Sequence, residues 1–303
     1  MRIFNIIIVI ALLAACKSAL SPEEKVVEAA SAYYKDHPSD SSGMALIAAM
    51  GKYIELKGYA DSTTARYVLE SARISSDLNQ TRQAMSYYKT YLVEYPDRPD
   101  QPNRLAEYIK LAEKLDQPEL NDILYKSFAT RFPEDDRTAS MTDKVQQKDM
   151  AADSILWHIG RNMFNDTTFR LNEQRANLYI DDCEAAVAAN ATLPNAPEYL
   201  FHAAETSSTL HNIPRAIGLY DWILQKYPTN KRASTSLFLK GFTYDNEMKD
   251  FEKAGKYYHE FLEKYPNDEY AASAKFLLDN LGKSEEELKK MLDQNKQAKD
   301  NVQ

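Results

Sequence analysis

One short pattern recurs along the chain and constrains its fold more than any other feature. The pattern begins at Ala, places Tyr four residues later and a large apolar residue seven residues later, and ends in Tyr-Pro. Its three best copies are residues 84–96, 216–228 and 254–266, and weaker copies occupy 26–38 and 121–133. Spacings of four and seven lie on one helical face, and Pro ends a helix because it has no N–H to donate. The pattern therefore predicts an amphipathic helix, repeated along the chain, that packs on a neighbouring helix through its Ala and aromatic residues.

A second predicted helix precedes each copy. In the last unit it places Leu237, Gly241 and Tyr244 at spacings of four and three. The pair of helices resembles the tetratricopeptide repeat (TPR), in which helix A carries a large residue, Gly or Ala, and Tyr, and helix B carries Ala, an aromatic residue and a terminal Pro. Leu237 stands where the motif usually has Trp, and the gap from Gly241 to Ala254 is one residue longer than the motif's. The resemblance implies an all-α fold, a TPR-like α-solenoid of helical hairpins whose exposed concave surface binds partners.

The N-terminus has the features of an export signal. Arg2 precedes an apolar run from residue 6 to 15, which is shorter than the about 20 residues that a membrane-spanning helix needs. The run ends in Leu-Ala-Ala-Cys at residues 13–16, which resembles the lipobox of bacterial lipoproteins. We therefore predict that residues 1–15 are a lipoprotein signal peptide and that Cys16 is lipidated. An ordinary signal peptide with a chance cysteine is the alternative.

The region from residue 134 to 149 has the sequence EDDRTASMTDKVQQKD and no apolar stripe. It is predicted to be a polar linker between two helical arrays. The predicted divisions after the signal peptide are an N-terminal TPR-like array at 16–133, the linker at 134–149, a C-terminal TPR array at 150–283, and a terminal helix and tail at 284–303.

Charge and motif content argue for a binding protein rather than an enzyme. The net charge is −8, and an acidic chain is a poor candidate for binding nucleic acid. The chain has no G-x-S-x-G, H-E-x-x-H or phosphate-loop motif, and its five histidines are scattered. We therefore predict no catalytic residue, no metal site and no cofactor. Asp181, Asp182 and Glu184 are predicted to form a solvated acidic edge beside a buried Cys183.

The combined features resemble the TPR outer-membrane lipoproteins of diderm bacteria, such as the TPR lipoprotein of the β-barrel assembly machine and the TPR coordinator of the Tol–Pal system. The resemblance implies a non-enzymatic, lipid-anchored scaffold that binds other envelope proteins or peptides in cell-envelope assembly or maintenance. It implies the outer membrane as the location, on the periplasmic face rather than the cell surface.

The alternative is a surface or periplasmic lipoprotein that binds a glycan or another small ligand. Such a protein would expose tryptophan for stacking against the ligand. Trp157 and Trp222 both fall on repeat-like helices, which favours a core position for each.

Eight residues occupy positions that face the groove of a TPR. For two of them, Phe238 and Phe242, the alternative is that they pack against a neighbouring helix. The predicted partner-binding groove comprises Arg66, Leu69, Arg73 and Asp77 in one unit, and Phe238, Phe242, Asp245 and Asn246 in another.

Overall fold

The computed structural model describes residues 20–164, 170–283 and 286–287 of the chain. Cys16 and the predicted signal peptide lie outside the described residues, as does almost all of the predicted terminal segment 284–303. Within these ranges the chain forms fourteen α-helices, one short 3-10 helix and no strand, apart from an isolated antiparallel bridge between Phe164 and Leu171. The predicted all-α fold of TPR-like helical hairpins is confirmed.

The described residues divide into two compact units, with the division between Gln117 and Pro118. The described helices of the first unit are α1 (Pro22–Asp36), α2 (Asp40–Lys57), α3 (Thr64–Asp77), α4 (Thr81–Glu94) and α5 (Gln101–Ala112), followed by the 3-10 turn Glu113–Leu115. Those of the second unit are α6 (Pro118–Arg131), α7 (Thr138–Lys144), α8 (Ala152–Arg161), α9 (Glu173–Ala189), α10 (Ala196–Thr209), α11 (Ile213–Lys226), α12 (Lys231–Asn246), α13 (Phe251–Lys264) and α14 (Ala271–Asp279).

Most of these helices pack on the next helix in the chain, as expected for consecutive hairpins. In the second unit α9 also packs on α6, so the segment that contains α7 and α8 is inserted between two helices that contact each other. Apolar side chains fill the space between neighbouring helices, and each unit has its own buried clusters.

The recurring pattern corresponds to the buried faces of α4, α11 and α13. Its three alanines have no exposed surface, and the aromatic or apolar residues four and seven positions later are at most 4% exposed. These residues are Ala84, Tyr88 and Tyr91; Ala216, Tyr220 and Ile223; and Ala254, Tyr258 and Phe261. Each helix ends just before the Tyr-Pro pair. The pattern therefore encodes both the packing face and the end of each helix.

The helix pair α12–α13 shows why a residue without a side chain is favoured at Gly241. A Cβ atom at this position would lie 3.0 Å from both Cδ1 and Cε1 of the Tyr258 ring, which is tighter than most Cβ contacts, so the ring would have to shift by a few tenths of an ångström. The missing side chain lets the aromatic ring of α13 lie directly on α12. The Tyr258 hydroxyl then donates to Asp245 Oδ2 at 3.3 Å.

The predicted linker 134–149 differs from the structure, because it contains α7 and belongs to the second unit. Met141 and Val145 are buried, although the segment has no continuous apolar stripe. The compact units divide after Gln117 instead.

Hydrogen bonds to one buried carboxylate explain how so polar a segment is ordered. Asp122, on α6, is 1% exposed and accepts from the backbone N–H of Gln146 at 2.8 Å and of Gln147 at 2.7 Å. Such long-range contacts leave no periodic signal in the sequence.

Candidate functional site

Three of the four predicted groove residues of the first unit line one cavity. Arg66, Leu69 and Arg73 follow one another along α3, and the cavity beside them has a volume of about 580 Å³. The opposite side is formed by α4 and the segment that leads into α5, with Tyr91, Arg98, Pro99 and Asp100. We call this space the Arg66 cavity. Asp77, the fourth predicted residue, is exposed but does not line it.

The Arg66 cavity carries an excess of positive charge, because three arginines and two acidic residues, Glu70 and Asp100, line it. Among the described residues, Arg66, Arg73 and Arg98 have no carboxylate within ion-pair distance. Asp100 accepts from the Tyr91 hydroxyl at 2.7 Å and from Arg104 Nε at 2.9 Å. Burial opposes ionisation of Asp100, but these two hydrogen bonds outweigh it and lower the pKa of the carboxyl. Its negative charge is therefore already balanced by Arg104.

Phe238 does not line a groove, and its prediction as a groove residue is wrong. The side chain is 7% exposed and stacks on Tyr270 with ring centroids 4.8 Å apart. It also contacts Phe261, at a centroid distance of 5.7 Å. The alternative prediction, packing against a neighbouring helix, is correct for this residue, because Tyr258 and Phe261 of α13 and Tyr270 in the turn before α14 cover its face of α12. Phe242 is 40% exposed.

The remaining two predicted residues of this unit make local contacts. Asp245 is half-buried and accepts from Tyr258, while the Asn246 amide donates to the Phe242 carbonyl oxygen at 3.2 Å. The structure therefore does not bring the four C-terminal residues together in one groove.

The predicted solvated acidic edge is also corrected. Cys183 is fully buried as expected, but Asp182 and Glu184 are only 5% and 6% exposed. Arg215 on α11 explains the burial of Glu184, since its Nε lies 2.7 Å from Glu184 Oε1 and its Nη2 lies 2.5 Å from Asp181 Oδ1. The local sequence does not reveal that Arg215, from another helix, pairs with Asp181 and Glu184. The predicted solvated edge is therefore a contact between helices.

Asp182 has no such partner. Its Oδ1 atom is buried without a hydrogen bond to any described residue. Burial raises the pKa of the Asp182 carboxyl to about 8, and the nearby charges of Asp181 and Glu119 add to this effect. The side chain is therefore an uncharged acid at neutral pH.

The second unit contains a larger cavity, of about 980 Å³, that the sequence analysis did not predict. Trp157 lines this cavity and is 61% exposed, so its prediction as a core residue is wrong. Trp222, by contrast, is half-buried and packs against the main core cluster. We call this space the Trp157 cavity. Its exposed tryptophan is the feature expected of the alternative, ligand-binding function.

One signal in the sequence could have identified the exposed position of Trp157. Ile155, Leu156 and Ile159 form the apolar stripe of α8, and the first two are at most 1% exposed. Trp157 lies off this stripe, on the same face as Arg161 four residues later. The Arg161 guanidinium lies 5.1 Å from the centroid of the Trp157 ring.

In residues 20–164 and 170–283, no group of three or more His, Cys, Asp or Glu side chains is arranged to bind a metal ion. No helix in the described part of the chain combines the length and the apolar character needed to cross a membrane.

Comparison with known proteins identifies one repeat directly. Residues 235–268 match the tetratricopeptide-repeat family, and no curated protein matches the chain. Solved structures that align with the chain include the TPR2AB-domain:pHSP90 complex of yeast Sti1, at 14% identity and a TM-score of 0.29, with 84% of this chain and 96% of that chain covered. Another is the assembly chaperone of RpL4, Acl4 (residues 1–338), at 12% identity and a TM-score of 0.29, with 86% and 97% covered. The chain therefore contains a tetratricopeptide repeat at residues 235–268, the helix pair α12–α13.

Proposed function

We propose that this protein is a non-enzymatic scaffold that binds protein partners through the Arg66 cavity and is anchored to the outer membrane by a lipid on Cys16. Its partners are other envelope proteins or peptides, and its role is in cell-envelope assembly or maintenance, on the periplasmic side. The TPR match at 235–268 and the helical hairpins support protein binding, which is the usual work of this architecture. The lipobox-like sequence at 13–16 supports the anchor and the envelope address.

The observation that carries the binding role is the composition of the Arg66 cavity. Arg66, Arg73 and Arg98 outnumber the two acidic residues of the cavity, Glu70 and Asp100, and Asp100 is already paired with Arg104. Leu69 supplies partly buried apolar surface on the same helix as Arg66 and Arg73. Arginine is favoured at protein interfaces because its planar group donates several hydrogen bonds and stacks on aromatic rings. A partner segment with acidic and apolar side chains is complementary to this surface.

The anchor is tested at Cys16, which should carry the lipid. In cells given radiolabelled palmitate, the wild-type protein is expected to become labelled and to sediment with membranes. The Cys16→Ala protein is expected to lose the label and to remain uncleaved or soluble, because no thiol is left to receive the lipid. Undiminished labelling of the variant would refute the anchor. Cys183→Ala is the control, since this buried cysteine is not part of the lipobox.

The binding surface is tested by removing two of its charges. Photo-crosslinking from a probe at Leu69 in intact cells is expected to capture defined envelope proteins. Arg66→Gln combined with Arg73→Gln should reduce that capture at least ten-fold, because the two exposed guanidinium groups are lost while the helix is kept. Thermal unfolding should be unchanged, since surface substitutions of this kind shift stability by about 0.5 kcal/mol or less.

A matched control separates this site from the overall charge of the protein. Lys52 and Lys57 are exposed on α2 in the same unit and do not line the cavity. The double change to Gln removes the same charge and should leave the capture intact. Equal losses in both double variants would show that general charge, not the Arg66 cavity, attracts the partner.

A further inference from the structure

We propose that the Trp157 cavity is a carbohydrate-binding site, which goes beyond the proposed protein-binding function and lies in the other unit of the chain. The inference rests on two unlike walls. One wall is aromatic and exposed, and the other is a helix face rich in hydrogen-bond acceptors.

The first wall presents aromatic surface to solvent, although the Arg161 guanidinium lies over the Trp157 ring. Trp157 is 61% exposed and Phe164 is 44% exposed. Exposing aromatic surface is unfavourable in the absence of a ligand, and ligand-binding pockets are lined mainly by such side chains. The C–H groups on one face of a sugar ring form a flat apolar surface that can pack on the face of an aromatic ring. An indole ring is the largest flat side chain available to pack against it.

The second wall is one face of α10. Glu198, His202, Glu205 and Thr209 are spaced by four, three and four residues, which places them in a row along the cavity. The Thr209 hydroxyl donates to the Glu205 carbonyl oxygen at 3.0 Å. Because its hydrogen is used in this bond, the hydroxyl can only accept a hydrogen bond from a ligand. Glu205 bonds His202 through Oε2 at 3.0 Å, and its second carboxylate oxygen has no partner among the described residues. This wall therefore accepts hydrogen bonds, and sugar hydroxyls supply donors.

The charges of the cavity are largely balanced, which favours a neutral ligand. Glu198 is paired with Arg232, whose Nε lies 2.8 Å from Oε2 and whose second nitrogen contacts Oε1. His202 lies between Glu198 and Glu205, at 3.3 and 3.0 Å from their carboxylate oxygens. Arg161 lines the side that carries Trp157. A strongly charged ligand would thus meet opposing charges of both signs, whereas a neutral sugar meets donors and acceptors.

The size of the cavity indicates an oligosaccharide rather than a single sugar. Its volume of about 980 Å³ lies at the upper end of the range for small-molecule sites, which is about 300–1,000 Å³. Several linked rings can be accommodated, with one ring on Trp157 and neighbouring hydroxyls along α10.

The chain offers a direct fluorescence test because it has two tryptophans. Trp222→Phe leaves Trp157 as the reporter. The mature variant is titrated with maltotetraose, cellotetraose and chitotetraose, and its binding is surveyed on a glycan array. We expect a saturable change in emission with at least one oligosaccharide. Saturation-transfer NMR with the same ligand should show at least ten-fold weaker binding to Trp157→Ala, with thermal unfolding close to that of the wild type.

The control is Tyr33→Ala, which removes a comparably exposed aromatic ring, 59% accessible, from the first unit and should leave sugar binding unchanged. The proposal is overturned if no glycan on the array binds, or if Trp157→Ala binds as tightly as the wild type. It is also overturned if only a Lys- and Leu-containing peptide quenches Trp157, since the cavity would then be a peptide site. None of these results changes capture at the Arg66 cavity, so the two proposals fail separately.

Discussion

Phe261→Ala should destabilise the second unit by about 3–5 kcal/mol, the range for removing a fully buried aromatic ring. Phe261 has no exposed surface and lies in a cluster with Leu237, Phe238 and Tyr258 between α12, α13 and α14. Its removal leaves a cavity among side chains that are themselves large and cannot easily close around it. The expected result is a fall in melting temperature on the order of 10 °C, followed by far-UV circular dichroism.

The same hairpin supplies the matched control. Phe242 lies on α12 and is 40% exposed, so Phe242→Ala removes an equal ring without opening a buried cavity. Its effect on the melting temperature should be small. Comparable decreases in melting temperature in the two variants would contradict the assignment of α13 as the buried helix of the repeat. The loss of stability would then not depend on whether the removed ring is buried.

The sequence predicted the faces that are formed by local spacing. Ala254, Tyr258 and Phe261 are buried because their spacing places them on one side of a helix that a following proline ends. These signals lie within a few residues of one another and do not depend on which helix packs opposite. The fold class and the packing of α4, α11 and α13 could therefore be predicted.

The errors concern residues whose surroundings come from distant parts of the chain. The position of Phe238 on helix A is compatible with a groove and with helix packing, and Phe261 and Tyr270 cover it in the structure. The amphipathic helix that contains Trp157 favours a core position for it, but the residue lies beside the apolar stripe and is exposed. Spacing identifies a helix face, but only the tertiary structure shows whether that face meets protein or solvent.

The acidic segment of α9 shows the same limit for charge. Asp181, Asp182 and Glu184 are close together in sequence, yet Arg215 pairs with the first and third and leaves Asp182 buried without a partner. The different environments of these neighbouring carboxyls predict opposite effects of the same substitution, to Asn, at positions 181 and 182.

Asp182 should make the stability of the second unit depend on pH. The folded state raises the pKa of its carboxyl to about 8, chiefly through burial, whereas the unfolded chain has an ordinary value near 3.8. Between these two values the folded state binds more protons than the unfolded state. The free energy of unfolding contributed by this group is therefore fully present below about pH 4 and falls as the pH rises to about 8. The slope is on the order of 1.4 kcal/mol per pH unit.

Asp182→Asn replaces the protonated acid by a neutral side chain of similar shape and should remove this slope. We expect the variant to match the wild type near pH 4 and to exceed its stability by several kcal/mol at pH 8, measured by urea unfolding at each pH. Subtracting the free energy of unfolding of one protein from that of the other at each pH removes the contribution of all other titratable groups, because both proteins contain them. Asp181→Asn should instead lower stability at neutral pH, because its side chain is 39% exposed and pairs with Arg215. A difference between Asp182→Asn and wild type that stays constant from pH 4 to pH 8 would show that the Asp182 carboxyl ionises normally in the folded protein.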